Sequence, residues 1–218
     1  MAFTRGGALS GADQIIPTCT VVVCTRNRPV LLDRCLAALA KVTYSFFKVL
    51  VVDNAPIDQS AREIAVRWGA SYVIEPIPGL SRARNCGVRA CSSDIVAFLD
   101  DDATPEPEWL ASLMPEFADP RVMAVTGRIS PLRFETAAEH LCALVSSSAP
   151  CGLERRAVDL QTPCWLEMAS FGGLGDGGNM AFRRQAFESW PGFDEGLGRG
   201  TSIYGGEEHY AFFSLIHR

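Results

Sequence analysis

Three consecutive aspartates, Asp100, Asp101 and Asp102, follow the apolar run 95–99. Like charges this close repel one another unless a cation or counter-charge sits among them. If strand alternation continues through them, Asp100 and Asp102 share a face while Asp101 points elsewhere. Such an oxygen-only pair suits Mg2+ or Mn2+, with the remaining positions taken by water and phosphate oxygens. The alternative is a solvated acidic turn ahead of a helix, which the helix dipole also favours. A second acidic pair, Glu207 and Glu208, opens the last helical pattern, where it can supply a general base or simply favour the helix N-terminus. Other polar groups stand at comparable places. Thr25, Arg26, Asn27 and Arg28 end the first apolar run, and Asp53 and Asn54 end the second. Arg82, Arg84 and Asn85 fall in the first turns of a helix, where free N–H groups favour an anion. Asp53 can equally cap a turn.

These groups converge only if the intervening segments form an open α/β sheet, because ligands bind outside the carboxyl ends of such strands. The apolar runs 19–24, 48–53, 71–74 and 95–99 read as strands buried on both faces. Helical patterns alternate with them at 29–42, 59–68 and 81–91. The first of these places Leu32, Cys35, Leu36, Leu39 and Val42 on one face behind Pro29 at its start. Thr104 and Pro105 read as the N-cap and first residue of another helix. A strand at 122–127 and a helix at 135–147 follow, and the Gly- and Pro-containing stretch 149–178 is expected to form a mobile loop beside the site. A strand at 179–184, a short helix at 185–190 and a last helix from about 206 complete the pattern. That helix reaches Arg218 without a Gly or Pro stop signal, so the pattern is expected to have been cut short.

The chain has 218 residues, 48% of them hydrophobic and 21% charged, a profile that fits one domain able to bury its own core. Residues 1–14 read as a flexible arm and residues 15–218 as one domain. A net charge of −5 excludes a general attraction to nucleic acid. No transmembrane segment or secretory leader is legible, which points to a cytoplasmic location. The eight cysteines, at 19, 24, 35, 86, 91, 142, 151 and 164, include no C-x-x-C pair and favour reduced thiols over bridges or zinc.

Six strings in one order carry a family resemblance: VVVCTRNRP at 21–29, VLVVDN at 49–54, GLSRARNCGV at 79–88, FLDDD at 98–102, GGNMAFRR at 177–184, and GFDE at 192–195 with GGEEH at 205–209. Together they resemble the family 2 glycosyltransferases of GT-A fold, over nearly everything from Thr20 onward. The resemblance implies a Rossmann-like fold with a central, mostly parallel sheet flanked by helices. Residues 15–132 would form the nucleotide-sugar-binding half and residues 133–218 the acceptor-side half, incomplete at its C-terminus. It implies an inverting, metal-dependent transfer from a UDP-, GDP- or TDP-sugar to a saccharide or lipid-linked acceptor, in glycan or polysaccharide biosynthesis. A lipid-linked acceptor would place the protein peripherally at the inner membrane face.

Residue by residue, the resemblance puts Asp53 on the base, Thr25, Arg26 and Asn27 around the nucleoside, and Arg84 at the diphosphate. Asp100 would reach the ribose or a metal-bound water, with Asp101 beside it, and Asp102 with Asp100 would hold Mg2+ or Mn2+. Glu208 stands where the family has the aspartate of a Glu-Asp pair, so Glu208 or Glu207 would be the base. The family's further histidine ligand has no counterpart, and neither His209 nor His217 is given that role. The glycine-rich 171–179 lacks the Lys-Ser/Thr ending of a P-loop. It reads as the acceptor side, with Asp176 and Asn179 contacting hydroxyls. Trp165 and Trp190 fit either sugar stacking or core packing. The competing readings are a catalytically weak nucleotide-sugar-binding module and a sugar nucleotidyltransferase. The second would need a Gly-rich loop after strand one, where TRNRP has no glycine.

Overall fold

The computed structural model describes residues 17–132, 136–138, 141, 155–171 and 173–218. Strand β1 (Cys19–Thr25) leads into α1 (Pro29–Leu39), β2 (Phe47–Asn54), α2 (Ser60–Trp68), β3 (Ser71–Glu75), α3 (Leu80–Ala90) and β4 (Ile95–Asp100). Then come α4 (Trp109–Leu113), a 3-10 turn (Met114–Ala118), β5 (Ala124–Thr126), α5 (Trp165–Ser170), β6 (Asn179–Arg183), α6 (Ala186–Ser189) and α7 (Glu207–His217). The strands form one six-stranded sheet in the order β3-β2-β1-β4-β6-β5. β1 pairs in parallel with β2 and β4, and β2 with β3, whereas β6 runs antiparallel to both β4 and β5. This is the mostly parallel sheet flanked by helices that the alternating pattern demands.

Both faces of the sheet are covered, which is why the central strands are apolar throughout. Val21, Val23, Val49, Val51, Ala97 and Leu99 pack against Leu32, Cys35, Leu36 and Leu39 of α1 and against Ile64 and Ala65 of α2. The other face carries Val22, Val52, Val96 and Phe98, joined by Met180, Phe182, Trp190, Phe193 and Phe212. Trp190 is fully buried there, so core packing is its role. α3 lies close on this second face because Gly87 has no side chain. A Cβ at that position would stand 2.5 Å from Val22 Cγ1.

Several boundaries differ from the sequence pattern. α1 stops at Leu39, not 42, and its last turn tightens into i→i+3 bonds from Lys41 and Val42 to Ala38 and Leu39. α4 begins at Trp109 and not at Thr104. Pro107 disfavours helical geometry at Glu106, and its carbonyl instead accepts bonds from the Thr43 backbone N–H and hydroxyl. The strand expected at 122–127 is confined to Ala124–Thr126. Within 149–178, expected to be one irregular loop, Trp165–Ser170 is helical, and Trp165 stacks on Phe213 of α7 with ring centroids 5.8 Å apart. The arm at 1–14 and most of the helix at 135–147 lie outside the described residues. Cys19, Cys24, Cys35, Cys86, Cys91 and Cys164 are free thiols, and Cys142 and Cys151 lie outside the described residues.

Gly87→Ala should lower the unfolding free energy by about 1–3 kcal/mol, because α3 must lift off Val22 to admit the methyl. Urea denaturation checks this, and wild-type stability in the variant would contradict the close approach.

Candidate functional site

The carboxyl ends of β1, β2 and β4 lie side by side, since Thr25 registers with Asp53 and Cys24 with Asp100. Around this edge the structure gathers most of the polar residues singled out by sequence, but it gives several of them partners within the protein. The first cluster is built on the aspartates. Strand geometry ends at Asp100, and the chain turns there, with the Ala103 N–H donating to the Asp100 carbonyl at 3.1 Å. Alternation therefore does not extend to Asp101 and Asp102. Asp101 is buried, accepts a bond from the Thr25 hydroxyl at 2.7 Å, and lies 2.6 Å from Arg28 Nη2. The same guanidinium nitrogen reaches Asp102 Oδ2 at 2.7 Å. Part of the repulsion is thus answered by Arg28, whose place after β1 was visible in the sequence but whose partner was not.

Burial pushes the Asp100 carboxyl up, and the positive charge of Arg84 opposes that rise. Burial also raises Asp101, against the Thr25 hydrogen bond and Arg28. Asp100 meets the segment before β6, where a Cβ on Gly178 would stand 2.7 Å from Asp100 Oδ2. Only glycine lets the backbone pass this carboxylate. Among the described residues no three His, Cys, Asp or Glu side chains gather into a metal site by themselves. The donor set still fits a hard divalent ion. Asp102 is half-exposed, one of its oxygens has no partner among the described residues, and water or phosphate oxygens could complete an oxygen shell.

The second cluster joins α3 to the chain that follows β6. Arg84 is only 2% exposed, and Glu207, the first residue of α7, is 6% exposed. Arg84 Nη1 donates to Glu207 Oε1 at 3.0 Å, and Nη2 donates to the Gly177 carbonyl at 3.0 Å. The guanidinium also lies over the Phe193 ring, 5.3 Å from its centroid. Arg84, expected at a diphosphate, is committed to these protein groups. Asn85 behaves alike, its amide donating to the Phe193 carbonyl at 2.8 Å and accepting from the Phe193 N–H at 2.9 Å. The Ser81 hydroxyl donates to the Leu197 carbonyl at 2.8 Å. The polar positions of LSRARN therefore clamp residues 193–207 onto the sheet.

Burial is the main force raising the Glu207 carboxyl, opposed by Arg84 and reinforced by neighbouring Glu208. Glu208 is half-buried, and its Oε2 has no hydrogen-bond partner among the described residues. Of the two glutamates, Glu208 is the one without an ion-pair partner among the described residues.

The third cluster surrounds Asp53. A cleft lined by Asn27, Arg28, Pro29, Asp53, Pro56, Ile57, Asp58, Ser60 and Ala61 opens at the ends of β1 and β2. The Tyr72 hydroxyl donates to Asp53 Oδ2 at 2.8 Å. Burial raises the Asp53 carboxyl, and this hydrogen bond works against the rise. Asn27 adopts a left-handed backbone, and its side-chain oxygen accepts from the Ile57 N–H at 3.2 Å. Arg26 is exposed at the rim. On the far side, Asp176 is exposed, whereas the Asn179 amide is buried, accepting from Trp109 Nε1 at 2.8 Å and donating to the Arg128 carbonyl at 3.1 Å. The Asn179 side chain ties β6 to the chain after β5.

The chain belongs to glycosyl transferase family 2, whose model matches residues 20–190. It is 38% identical over 118 residues to the pre-mycofactocin glycosyltransferase of Mycobacterium tuberculosis, an alignment covering 52% of this chain and 24% of that protein. It is 34% identical over 119 residues to the validoxylamine A glucosyltransferase of Streptomyces hygroscopicus, covering 51% of this chain and 28% of that protein. The chain thus spans well under two thirds of the curated relatives it matches. Its fold is shared with the mannosyltransferase PcManGT of Pyrobaculum calidifontis, solved with GDP-Man and Mn2+. That match has a TM-score of 0.63 at 22% identity and covers 93% of this chain and 52% of that one. A second match is S. aureus TarS, with a TM-score of 0.65 at 16% identity, covering 91% of this chain and 55% of that one.

Arg84→Met should cost about 3–5 kcal/mol by leaving Glu207 buried and unpaired. The double variant Arg84→Met/Glu207→Leu should recover part of that loss in urea denaturation. A double variant less stable than Arg84→Met would contradict the pairing.

Proposed function

We propose that this chain transfers a sugar, with inversion, from a nucleotide-diphosphate sugar to an acceptor hydroxyl in glycan or polysaccharide biosynthesis. One observation carries the reading. Glu207 at the start of α7 is bonded to Arg84, Arg84 to the Gly177 carbonyl, and Gly178 lies against Asp100. This continuous chain of contacts ties the first turn of α7 to the aspartate cluster at the sheet edge. It suits a reaction in which a base and a leaving-group site lie on opposite sides of one sugar.

On this reading residues 15–132 form the donor half, with Asp53, Thr25, Arg26 and Asn27 around the nucleoside and Asp100 and Asp101 toward the ribose and phosphates. Residues 133–218 supply the acceptor side, with Asp176 at its rim. Asp102 and Asp100 would hold Mg2+ or Mn2+, which when bound neutralises charge on the departing diphosphate. Arg84 serves this site through Glu207 and through its field on Asp100, so it orders the edge and supports the phosphates indirectly. Glu208 takes the proton of the acceptor hydroxyl as that oxygen attacks the anomeric carbon, while Glu207 is held by Arg84. The GDP-Man and Mn2+ of the mannosyltransferase complex and the glucosyl transfer named for the Streptomyces relative support a sugar-nucleotide donor. The acceptor is a saccharide or a lipid-linked glycan. Among the described residues no helix is long and apolar enough to cross a membrane.

Glu208→Gln should reduce kcat by about 10²–10⁴ while donor nucleotide still binds, as followed by product release and calorimetry. Loss of nucleotide binding in this variant would make Glu208 structural. Asp102→Ala should abolish the gain in nucleotide affinity that Mn2+ confers, and an unchanged Mn2+ dependence would remove Asp102 from the metal site.

A further inference from the structure

The loop between α6 and α7 crosses the sheet edge at the start of α3. Free N–H groups at a helix start favour an anion, but here a loop carbonyl takes the first of them. The N–H of Leu80, the first residue of α3, donates to the Arg199 carbonyl at 2.9 Å, and the Ser81 hydroxyl donates to the Leu197 carbonyl at 2.8 Å. The loop is itself fixed. The Gly198 N–H donates to the Ile203 carbonyl at 2.9 Å, and the Thr201 hydroxyl donates to the Gly198 carbonyl at 2.9 Å. Gly200 packs so closely that a Cβ there would stand 3.3 Å from Gly79 Cα and 3.4 Å from Arg26 Nη1. The backbone at Arg199 is thus held beside the end of β1, while Arg199 itself stays exposed.

The arginines around this edge fall into two groups. Arg28 meets Asp101 and Asp102, Arg82 meets Glu195 at 2.6 Å, and Arg84 meets Glu207. Arg26 and Arg199 are exposed, and neither has an ion-pair partner among the described residues. Neighbouring positive groups repel, and an anion bound to both relieves the repulsion. Burial raises the Asp100 carboxyl, and Arg199 is, after Arg84, the next positive charge opposing that rise. Arg199 therefore lies within electrostatic range of the aspartate cluster, on the same edge as Arg26. Resting on the donor-site reading above, we infer that Arg199, carried by the loop that caps α3 and with Arg26 beside it, binds the diphosphate of the sugar donor. A diphosphate spreads several negative charges over adjacent phosphates, and a planar guanidinium takes phosphate oxygens in pairs. Arg84 is already committed to Glu207 and the Gly177 carbonyl, so this contact falls to the free arginine. In the transfer, the bond from the anomeric carbon to the diphosphate oxygen breaks and its electron pair stays on that oxygen. The acceptor oxygen bonds to the same carbon and its proton passes to Glu208. Arg199 answers the charge gained by the diphosphate.

Calorimetric titration of the chain with UDP, TDP and GDP and with the matching monophosphates, each with Mn2+, tests the inference. Any diphosphate that binds the wild-type chain should bind Arg199→Gln about tenfold more weakly, with its monophosphate changed less than about twofold, and Arg199→Lys should retain most of the affinity. A merely structural role for Arg199 would weaken diphosphate and monophosphate alike, with no rescue by lysine, and would overturn the assignment. Unchanged diphosphate affinity in Arg199→Gln would also overturn it, while leaving the donor site standing. Binding of none of the three diphosphates to the wild-type chain would overturn the donor-site reading itself, and the inference with it.

Discussion

A buried guanidinium has to find its counter-charge inside the protein, and the placement of Arg84 organises the sheet edge around that requirement. Removing an arginine from water costs several kcal/mol unless its donors and its charge are answered. Here the Glu207 carboxylate, the Gly177 carbonyl and the face of Phe193 answer it together. Three segments distant in sequence, namely α3, the approach to β6 and the start of α7, are thereby fixed to one point. Ser81 and Asn85 extend the same clamp to residues 193–197 through bonds to the backbone. The polar face of α3 thus holds the second half of the chain in register with the first.

The aspartate cluster poses the converse problem, an excess of negative charge at the end of a buried strand. Its neutralisation is divided among several groups. Arg28 bridges Asp101 and Asp102, Thr25 bonds to Asp101, and the field of Arg84 reaches Asp100. This division leaves Asp102 half-exposed and only partly committed, with Asp100 against the backbone of Gly178. Carboxylates arranged in this way are held in place by protein groups, so on the proposed reading little reorganisation would remain to be done when phosphate charge enters.

The sheet and its helices were legible because their signals are local and redundant. Continuous apolar runs gave strands β1, β2 and β4, and the 3.6-residue stripe behind Pro29 gave α1. Features governed by pairwise contacts were not legible. Nothing local to Thr104 reveals that Pro107 will hold the chain out of a helix until Trp109, or that its carbonyl will bind Thr43. The strand alternation that would separate Asp101 from its neighbours fails because the strand ends one residue earlier. The SRARN string placed polar side chains near the sheet edge, but an arginine aimed at a phosphate and one aimed at a glutamate 123 positions away look identical in sequence. Asn179 was placed among acceptor contacts by the glycines around it, whereas its amide is taken by Trp109 and the Arg128 carbonyl. Tyr72 gave no sequence signal, since its bond to Asp53 arises from cross-strand register. The glutamate pair was visible, and the ion pair that sets Glu207 apart from Glu208 emerged only with the fold.

A donor sugar nucleotide held as proposed would span the edge from the Asp53 cleft to the start of α7. Hydrogen–deuterium exchange of the chain with and without a UDP-sugar and Mn2+ measures this directly. Slowed exchange is expected to concentrate at 25–28, 54–58, 100–103 and 206–209, with the outer strand β5 and helix α6 unchanged. Protection confined to other segments, or none at saturating ligand, would contradict a donor site at this edge.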